Sequence, residues 1–144
     1  MIAVDTNILV AFLRAEYPDH GRIRTHVGAL AEGPLPWAIP WPCIHEVLAV
    51  VSNPRIFKVP FDPPYALDAV AALLESPTVR TIAEGPAYWP ILHRLVTEAA
   101  VTGPRIHDAR IAAICLSNGV SELWTADRDF SRFPALRTRN PALA

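Results

Sequence analysis

The sequence predicts an α/β protein with a mainly parallel sheet of four to five strands. Two observations lead to this fold class. Short apolar runs of strand length alternate with longer segments of helical apolar spacing, and the connections between them are short. Parallel neighbours need a crossover that usually contains a helix, so the alternation favours a three-layer α/β/α arrangement. We expect residues 1–144 to form one such domain.

The first half of the chain begins with a strand and continues with two helices. Met1–Val4 is typical of a buried strand, and the apolar residues after it predict a helix over Asn7–Ala15. A second amphipathic helix is expected over His20–Ala31, where a Gly-Pro pair ends it, and Pro36–Pro40 is the second strand. Because proline is tolerated in the first turn of a helix, Pro42–Val51 is the third helix.

A proline-rich connection over residues 55–64 leads into the second half of the chain. The elements expected there are a helix Pro64–Glu75, a strand Thr78–Ile82, a helix Pro86–Ala100, a helix Ile106–Asn118 that Gly119 stops, a strand Glu122–Thr125 and a short terminal strand near Leu136–Thr138. Helices therefore separate the first four strands, as parallel crossovers require.

Composition is typical of a globular protein without a membrane segment. Hydrophobic residues make up 51% of the chain and charged residues 19%, and no apolar run reaches the length of a membrane span. Asp5 interrupts the only apolar run near the N-terminus, so we expect no secretory signal and a cytoplasmic location. Cys43 and Cys115 belong to no metal motif and are expected as reduced core residues. The net charge of −1 lacks the basic excess of many nucleic-acid binders, so such binding would need local patches or a metal.

Four acidic positions fall where a parallel sheet is expected to bind a ligand. Asp5 follows the first strand and Asp127 follows the last long one, and ligands bind at the carboxyl ends of such strands. Glu46 and Asp108 are acids within otherwise apolar helices. Each acid alone also suits an ordinary role as a helix cap, a turn former or a partner of the helix dipole.

Carboxylates that gather in one cleft repel one another, and a bound divalent cation resolves this repulsion. Mg²⁺ and Mn²⁺ prefer oxygen ligands, and no His or Cys spacing in the sequence suggests zinc instead. Such a cation neutralises phosphate charge and lowers the pKa of a bound water, which suits the hydrolysis of a phosphodiester.

Four sequence blocks carry these acids: VDTN near the start, then HEVLAVVSNPRIF, IHDARIAAI and WTADRDFSRFP. In this order they closely resemble the PIN-domain ribonucleases and, more narrowly, the VapC toxins of bacterial toxin–antitoxin modules, over essentially the full chain. The resemblance implies a PIN-like fold with Asp5, Glu46, Asp108 and Asp127 as catalytic acids around Mg²⁺ or Mn²⁺. Asp5 and Asp108 are then the most direct metal ligands. Loop length varies in the last block, so Asp129 is the alternative to Asp127.

The resemblance also implies helper residues beside the carboxylates. Thr6 and Asn7 are expected to orient the first carboxylate and Thr125 the last block, although turn and cap chemistry would explain them as well. His107 is not expected to act as a general base, because its side chain should point to a different helix face from Asp108.

The activity that the resemblance implies is that of a Mg²⁺-dependent endoribonuclease toxin, which blocks translation until an antitoxin neutralises it. Transfer or ribosomal RNA is the implied substrate. A VapB-type antitoxin and a second copy of the chain are the implied partners. The apolar helix segments 8–13 and 44–51 offer a groove for the antitoxin, unless they are plain core. Two alternatives stay open, namely a PIN-type nuclease in RNA or DNA processing and a non-catalytic PIN-like binding module.

Overall fold

A computed structural model describes residues 1–143 and contains the predicted alternation of strands and helices. The elements are β1 (Ile2–Val4), α1 (Thr6–Leu13), α2 (His20–Glu32), β2 (Trp37–Pro40), α3 (Trp41–Val51), α4 (Pro63–Leu74), β3 (Val79–Ile82), α5 (Tyr88–Ala99), α6 (Arg105–Ser117), β4 (Glu122–Trp124), a 3₁₀ helix (Arg128–Arg132) and β5 (Arg137–Arg139). Compared with the predictions, the ends shift by one or two residues. The predicted three-layer α/β/α fold class is confirmed.

The five strands form one sheet in the order β3-β2-β1-β4-β5, and every pair is parallel. β1 lies in the centre, where Ile2 pairs with Trp37 of β2 on one side and with Glu122 of β4 on the other. From β1 the chain builds outward through β2 and β3, and it later returns to the other side of β1 for β4 and β5. Ligands of open parallel sheets bind at such a reversal, which here lies at the carboxyl ends of β1 and β4.

The core consists of apolar side chains from the central strands and from the helices that pack on them. Ile8, Leu9, Val47 and Val51 are fully buried in this core, whereas Phe12, Leu13, Leu48 and Val50 of the same helices are only partly buried, so a groove for the antitoxin on α1 and α3 stays a prediction. Full burial of a side chain of this size contributes roughly 1.5–3 kcal/mol. The ends of β1 and β4 are therefore held in a densely packed frame. Cys43 and Cys115 are free thiols in this core, as predicted.

A buried arginine holds the proline-rich connection against the end of α1. Arg14 is only 3% exposed, and its guanidinium lies 3.9 Å from the ring centre of Phe57 and 4.4 Å from that of Phe61. It also donates hydrogen bonds to the Glu16 carboxylate and to the Val59 carbonyl. Desolvated contacts of this kind contribute about 2 kcal/mol. The connection is therefore anchored although it forms neither a helix nor a strand.

Two glycines end helices where the sequence predicted their ends. After α2, a Cβ on Gly33 would lie 2.7 Å from the carbonyl oxygen of Ala29, too close for any other residue. After α6, Gly119 adopts a φ of 75°, which glycine reaches without steric cost. Within residues 1–143, every helix is too short or too polar to cross a bilayer.

Candidate active site

A cavity of about 370 Å³ opens beside the carboxyl ends of β1 and β4. Four acids line it, and they are the four predicted catalytic residues: Asp5, Glu46, Asp108 and Asp127. They come from the end of β1, from α3, from the first turn of α6 and from the segment after β4. The fold therefore brings together acids that lie more than a hundred residues apart in the sequence.

Asp5 both caps α1 and faces the cavity, so the two roles considered for it coexist. It is 6% exposed. Its Oδ1 accepts a hydrogen bond from the backbone N–H of Thr6 at 2.8 Å, and its Oδ2 accepts one from the Thr125 hydroxyl at 2.8 Å. Asn7 Nδ2 approaches Oδ2 at 3.4 Å, and the Cys43 thiol approaches Oδ1 at 3.5 Å. Four donors thus hold the carboxylate in one orientation.

Burial makes the charge on Asp5 costly despite these donors. Desolvation raises the pKa of Asp5 above its ordinary value, and the nearby charge of Asp127 raises it further. The hydrogen bonds from Thr125, Thr6 and Cys43 lower the pKa and offset part of this effect. A cation in the cavity would stabilise the ionised form.

Thr125 and Asn7 connect Asp5 to the last acidic block. The Thr125 hydroxyl accepts hydrogen bonds from Asn7 Nδ2 at 3.2 Å and from the Asp127 N–H at 3.0 Å. Asn7 Oδ1 accepts from the N–H of Ala126 at 3.0 Å. Both residues therefore contact Asp5 and the last acidic block. Thr6 contacts Asp5 through its backbone N–H, while its buried hydroxyl has no hydrogen-bond partner among residues 1–143.

Three aspartates form the tightest acidic group. One carboxylate oxygen each of Asp108, Asp127 and Asp129 lies within 4.8 Å of the others. Asp129 is neutralised by Arg105, whose Nη1 lies 2.6 Å from its Oδ2. Burial raises the pKa of Asp108, and repulsion from Asp127 and Asp129 raises it further. The charges of Asp108 and Asp127 therefore lack the direct ion pair that Asp129 has.

Glu46 completes the acidic wall from α3. Burial raises its pKa, and the charge of Asp5 adds to this effect, while the nearby Thr6 side chain and attraction to His107 oppose it. His107 lines the cavity together with Asp108, and the expectation that it does not act as a general base stays a prediction. Both residues lie near the start of α6.

Two further basic side chains line the cavity and were missed by the sequence analysis. They are His45, directly before Glu46, and Arg110, which is ion-paired with Glu84 at 2.5 Å. The contact between Cys43 and Asp5 was also missed. No spacing rule selects these residues, because the cavity wall is assembled from several elements. Arg105 could have been found, since it lies three positions before Asp108 on the same helix face.

The carboxylate oxygens of Asp108, Asp127 and Asp129 suit a hard divalent cation as ligands. Among residues 1–143, the aspartate group is the one set of three potential ligands this close together, and all its donors are oxygens. Carboxylate oxygens are the ligands that Mg²⁺ and Mn²⁺ prefer.

A sequence profile of the PIN domain family matches residues 2–136. The chain belongs to the PIN domain family. Among proteins of known sequence, this PIN domain is 36% identical to VapC ribonuclease Mb2897 of Mycobacterium bovis, over 98% of this chain and 95% of that protein. It is 31% identical to Ribonuclease VapC31 of Mycobacterium tuberculosis, over 99% of this chain and all of that protein. The predicted resemblance to VapC-type PIN domains is thus confirmed.

Solved structures share the fold of this PIN domain. VapBC2 from Rickettsia felis, bound to a promoter DNA fragment, superposes with a TM-score of 0.72 at 21% identity and covers 97% of this chain and 98% of its own. VapC20 of Mycobacterium tuberculosis, described as a toxin that cleaves the sarcin-ricin loop, gives a TM-score of 0.64 at 18% identity over 91% and 93% of the two chains. At these identities the likeness supports the fold alone.

Proposed function

We propose that this PIN domain is a Mg²⁺- or Mn²⁺-dependent endoribonuclease and the toxin of a VapBC-type toxin–antitoxin module. One observation carries the proposal. A single cavity, at the point between β1 and β4 where the order of strand addition reverses, is lined by four acids: Asp5, Glu46, Asp108 and Asp127. A binding module has no reason to hold several repelling carboxylates together, whereas a metal-dependent hydrolase does.

The roles of the residues follow from their geometry. Asp108 and Asp127 would hold the cation, and Asp5 would face it from a position fixed by Thr125 and Asn7. When bound, the cation neutralises phosphate charge and lowers the pKa of the attacking water.

The remaining acids have different surroundings and therefore different roles. Glu46, whose pKa is raised, is suited to accept a proton from that water, with His107 beside it. Arg105 would keep Asp129 neutralised, which favours Asp127 as the fourth acid.

The names of the relatives support an RNA substrate and the role of a toxin. The relatives at 36% and 31% identity are ribonucleases of the VapC type. By analogy, a VapB-type antitoxin would neutralise this PIN domain in the cytoplasm, and the functional unit would be a homodimer. Transfer or ribosomal RNA would be the target.

Cleavage of purified RNA tests the activity. We expect the protein to cut transfer or ribosomal RNA in Mg²⁺ and to be inactive in EDTA. Asp5→Asn and Asp108→Asn should each lower the rate by at least about 100-fold, because each removes a carboxylate from the cavity. Asp68→Asn changes an exposed acid on α4 and should leave the rate unchanged.

The same assay separates the alternatives. Equal cleavage by wild type and both cavity variants would refute the catalytic role of the acids, and cleavage of DNA in place of RNA would refute the substrate class. Growth arrest on expression, relieved by the product of a small upstream gene, would support the role of a toxin. RNA cleavage without growth arrest would favour the alternative of a nuclease in RNA processing.

A further inference from the structure

The acidic cavity presents an electrostatic problem for an RNA ligand. Four carboxylates line it, and the whole chain carries a net charge of −1. Attraction between phosphates and basic residues usually supplies most of the affinity for nucleic acid. At this site a cation would offset the repulsion only locally. Contacts that do not depend on phosphate charge are therefore needed to hold the strand, and stacking on bases is the contact best suited to this purpose.

An exposed aromatic ring packs against a residue that lines this cavity. Trp41 is the first residue of α3, directly after β2, and its side chain remains 41% exposed. One helical turn later His45 packs against it, with ring centres 6.4 Å apart and planes tilted by 45°. His45 itself lines the cavity, as do Pro42 and Glu46 from the same helix. The indole is therefore one side chain away from the acidic wall.

We propose that Trp41 and His45 form a stacking site for a base of single-stranded RNA, next to the phosphodiester that is cleaved. The proposal rests on the proposed ribonuclease function and adds a base-binding site to it. A base must leave its duplex stack before an indole can stack on it, so the site selects unpaired loops or single strands.

The chain contains a matched control for this site. The sequence WPCIH at the start of α3 has a counterpart, WPILH, at the start of α5. There Trp89 is 66% exposed and packs on His93 with ring centres 6.1 Å apart. His93 does not line the acidic cavity, whereas His45 does. Both motifs therefore place an exposed tryptophan on a histidine one turn into a helix, but only in the first does that histidine belong to the cavity wall.

The test measures binding of a fluorescein-labelled single-stranded 12-mer RNA by anisotropy, in Mg²⁺. Asp108→Asn serves as the parent in every case so that the RNA stays intact. Trp41→Leu keeps apolar area but cannot stack, and we expect it to weaken binding about tenfold. Trp41→Tyr should stay within about threefold of the parent, and Trp89→Leu should match the parent.

An abasic oligonucleotide of equal length isolates the stacking contact. The parent and Trp41→Leu should bind it equally, because no base is present to stack. Thermal unfolding of each variant close to that of the parent identifies the loss as one of contact. The stacking site is refuted if Trp41→Leu binds the 12-mer as tightly as the parent, or if Trp89→Leu loses as much affinity as Trp41→Leu. Either result would favour contact of the exposed indole with a protein partner instead.

Failure of the stacking site and failure of the nuclease give different results. If the wild-type protein cleaves RNA but Trp41→Leu binds and cleaves as the wild type does, only the stacking site falls. If the parent does not bind the 12-mer and the wild type does not cleave RNA, both the proposed function and the stacking site are refuted.

Discussion

Neutralising one carboxylate of the cavity should stabilise the metal-free protein. Asp108 lies within 4.8 Å of Asp127, and only Asp129 of this group has an ion pair. At this separation and an effective dielectric constant of 20, two like charges repel by roughly 3.5 kcal/mol. Solvent reaches these partly buried groups and screens the repulsion, so about 1 kcal/mol remains. Asp108→Asn should therefore raise the free energy of unfolding by about 1 kcal/mol.

Thermal unfolding in EDTA at pH 7.5 and low salt measures this gain. A change of about 1 kcal/mol corresponds to a Tm increase of roughly 2–4 °C for a chain of this size. Asp68→Asn, on the exposed face of α4, is the control and should leave the Tm unchanged. Mg²⁺ at 100 times its Kd should stabilise the wild type by about 2.7 kcal/mol and the Asp108→Asn variant much less. A lower Tm of Asp108→Asn in EDTA, or an equal effect of Mg²⁺ on both proteins, would refute the reasoning.

Three further predictions follow from the site and the fold. The Tm gain of Asp108→Asn should depend on pH, because the folded protein raises the pKa of Asp108 and its ionised form therefore destabilises the fold. The gain should be absent below about pH 4 and grow as pH rises through the folded pKa. A pH series of melts measures this dependence. Thr125→Val removes the hydroxyl that donates a hydrogen bond to the buried Asp5. Chemical denaturation should show a free energy of unfolding lower by about 1.5–3 kcal/mol, and RNA cleavage should be slower. An unchanged free energy of unfolding and rate would contradict the hydrogen bond. Gly33→Ala, directly after α2, places a methyl group against a carbonyl and should cost about 1–3 kcal/mol, whereas Gly21→Ala within α2 has free space and should be neutral or stabilising. Equal melting temperatures of the two variants would count against the close approach.

Much of the fold could be predicted because local pattern and global topology agree. The apolar run before Asp5 and the run ending in Trp124 are both buried strands, as their composition indicated. Pro42 and Gly119 delimit helices for reasons that act within a few residues. The strand order could not be read in this way, because it depends on which strands pair across long stretches of chain.

The sequence predicted the four acids that line the cavity but not the other residues of its wall. Asp5 and Asp127 follow strands, so the rule for parallel sheets places them at one edge. His45 and Arg110 also line the cavity, which spacing alone does not indicate, because the wall is assembled from several elements. The pairing of Arg105 with Asp129 depends on how the segment after β4 folds back onto α6, which no local pattern specifies.

Anomalous diffraction from crystals soaked in MnCl₂ tests the central claim most directly, because it locates the cation without reference to activity. We expect a manganese peak inside the acidic cavity, about 2.0–2.6 Å from oxygens of Asp108 and Asp127 and on the side that faces Asp5. Crystals of Asp108→Asn should show a much weaker peak or none. Manganese peaks confined to other parts of the surface, with the cavity empty at saturating Mn²⁺, would contradict a metal-dependent nuclease site at this position.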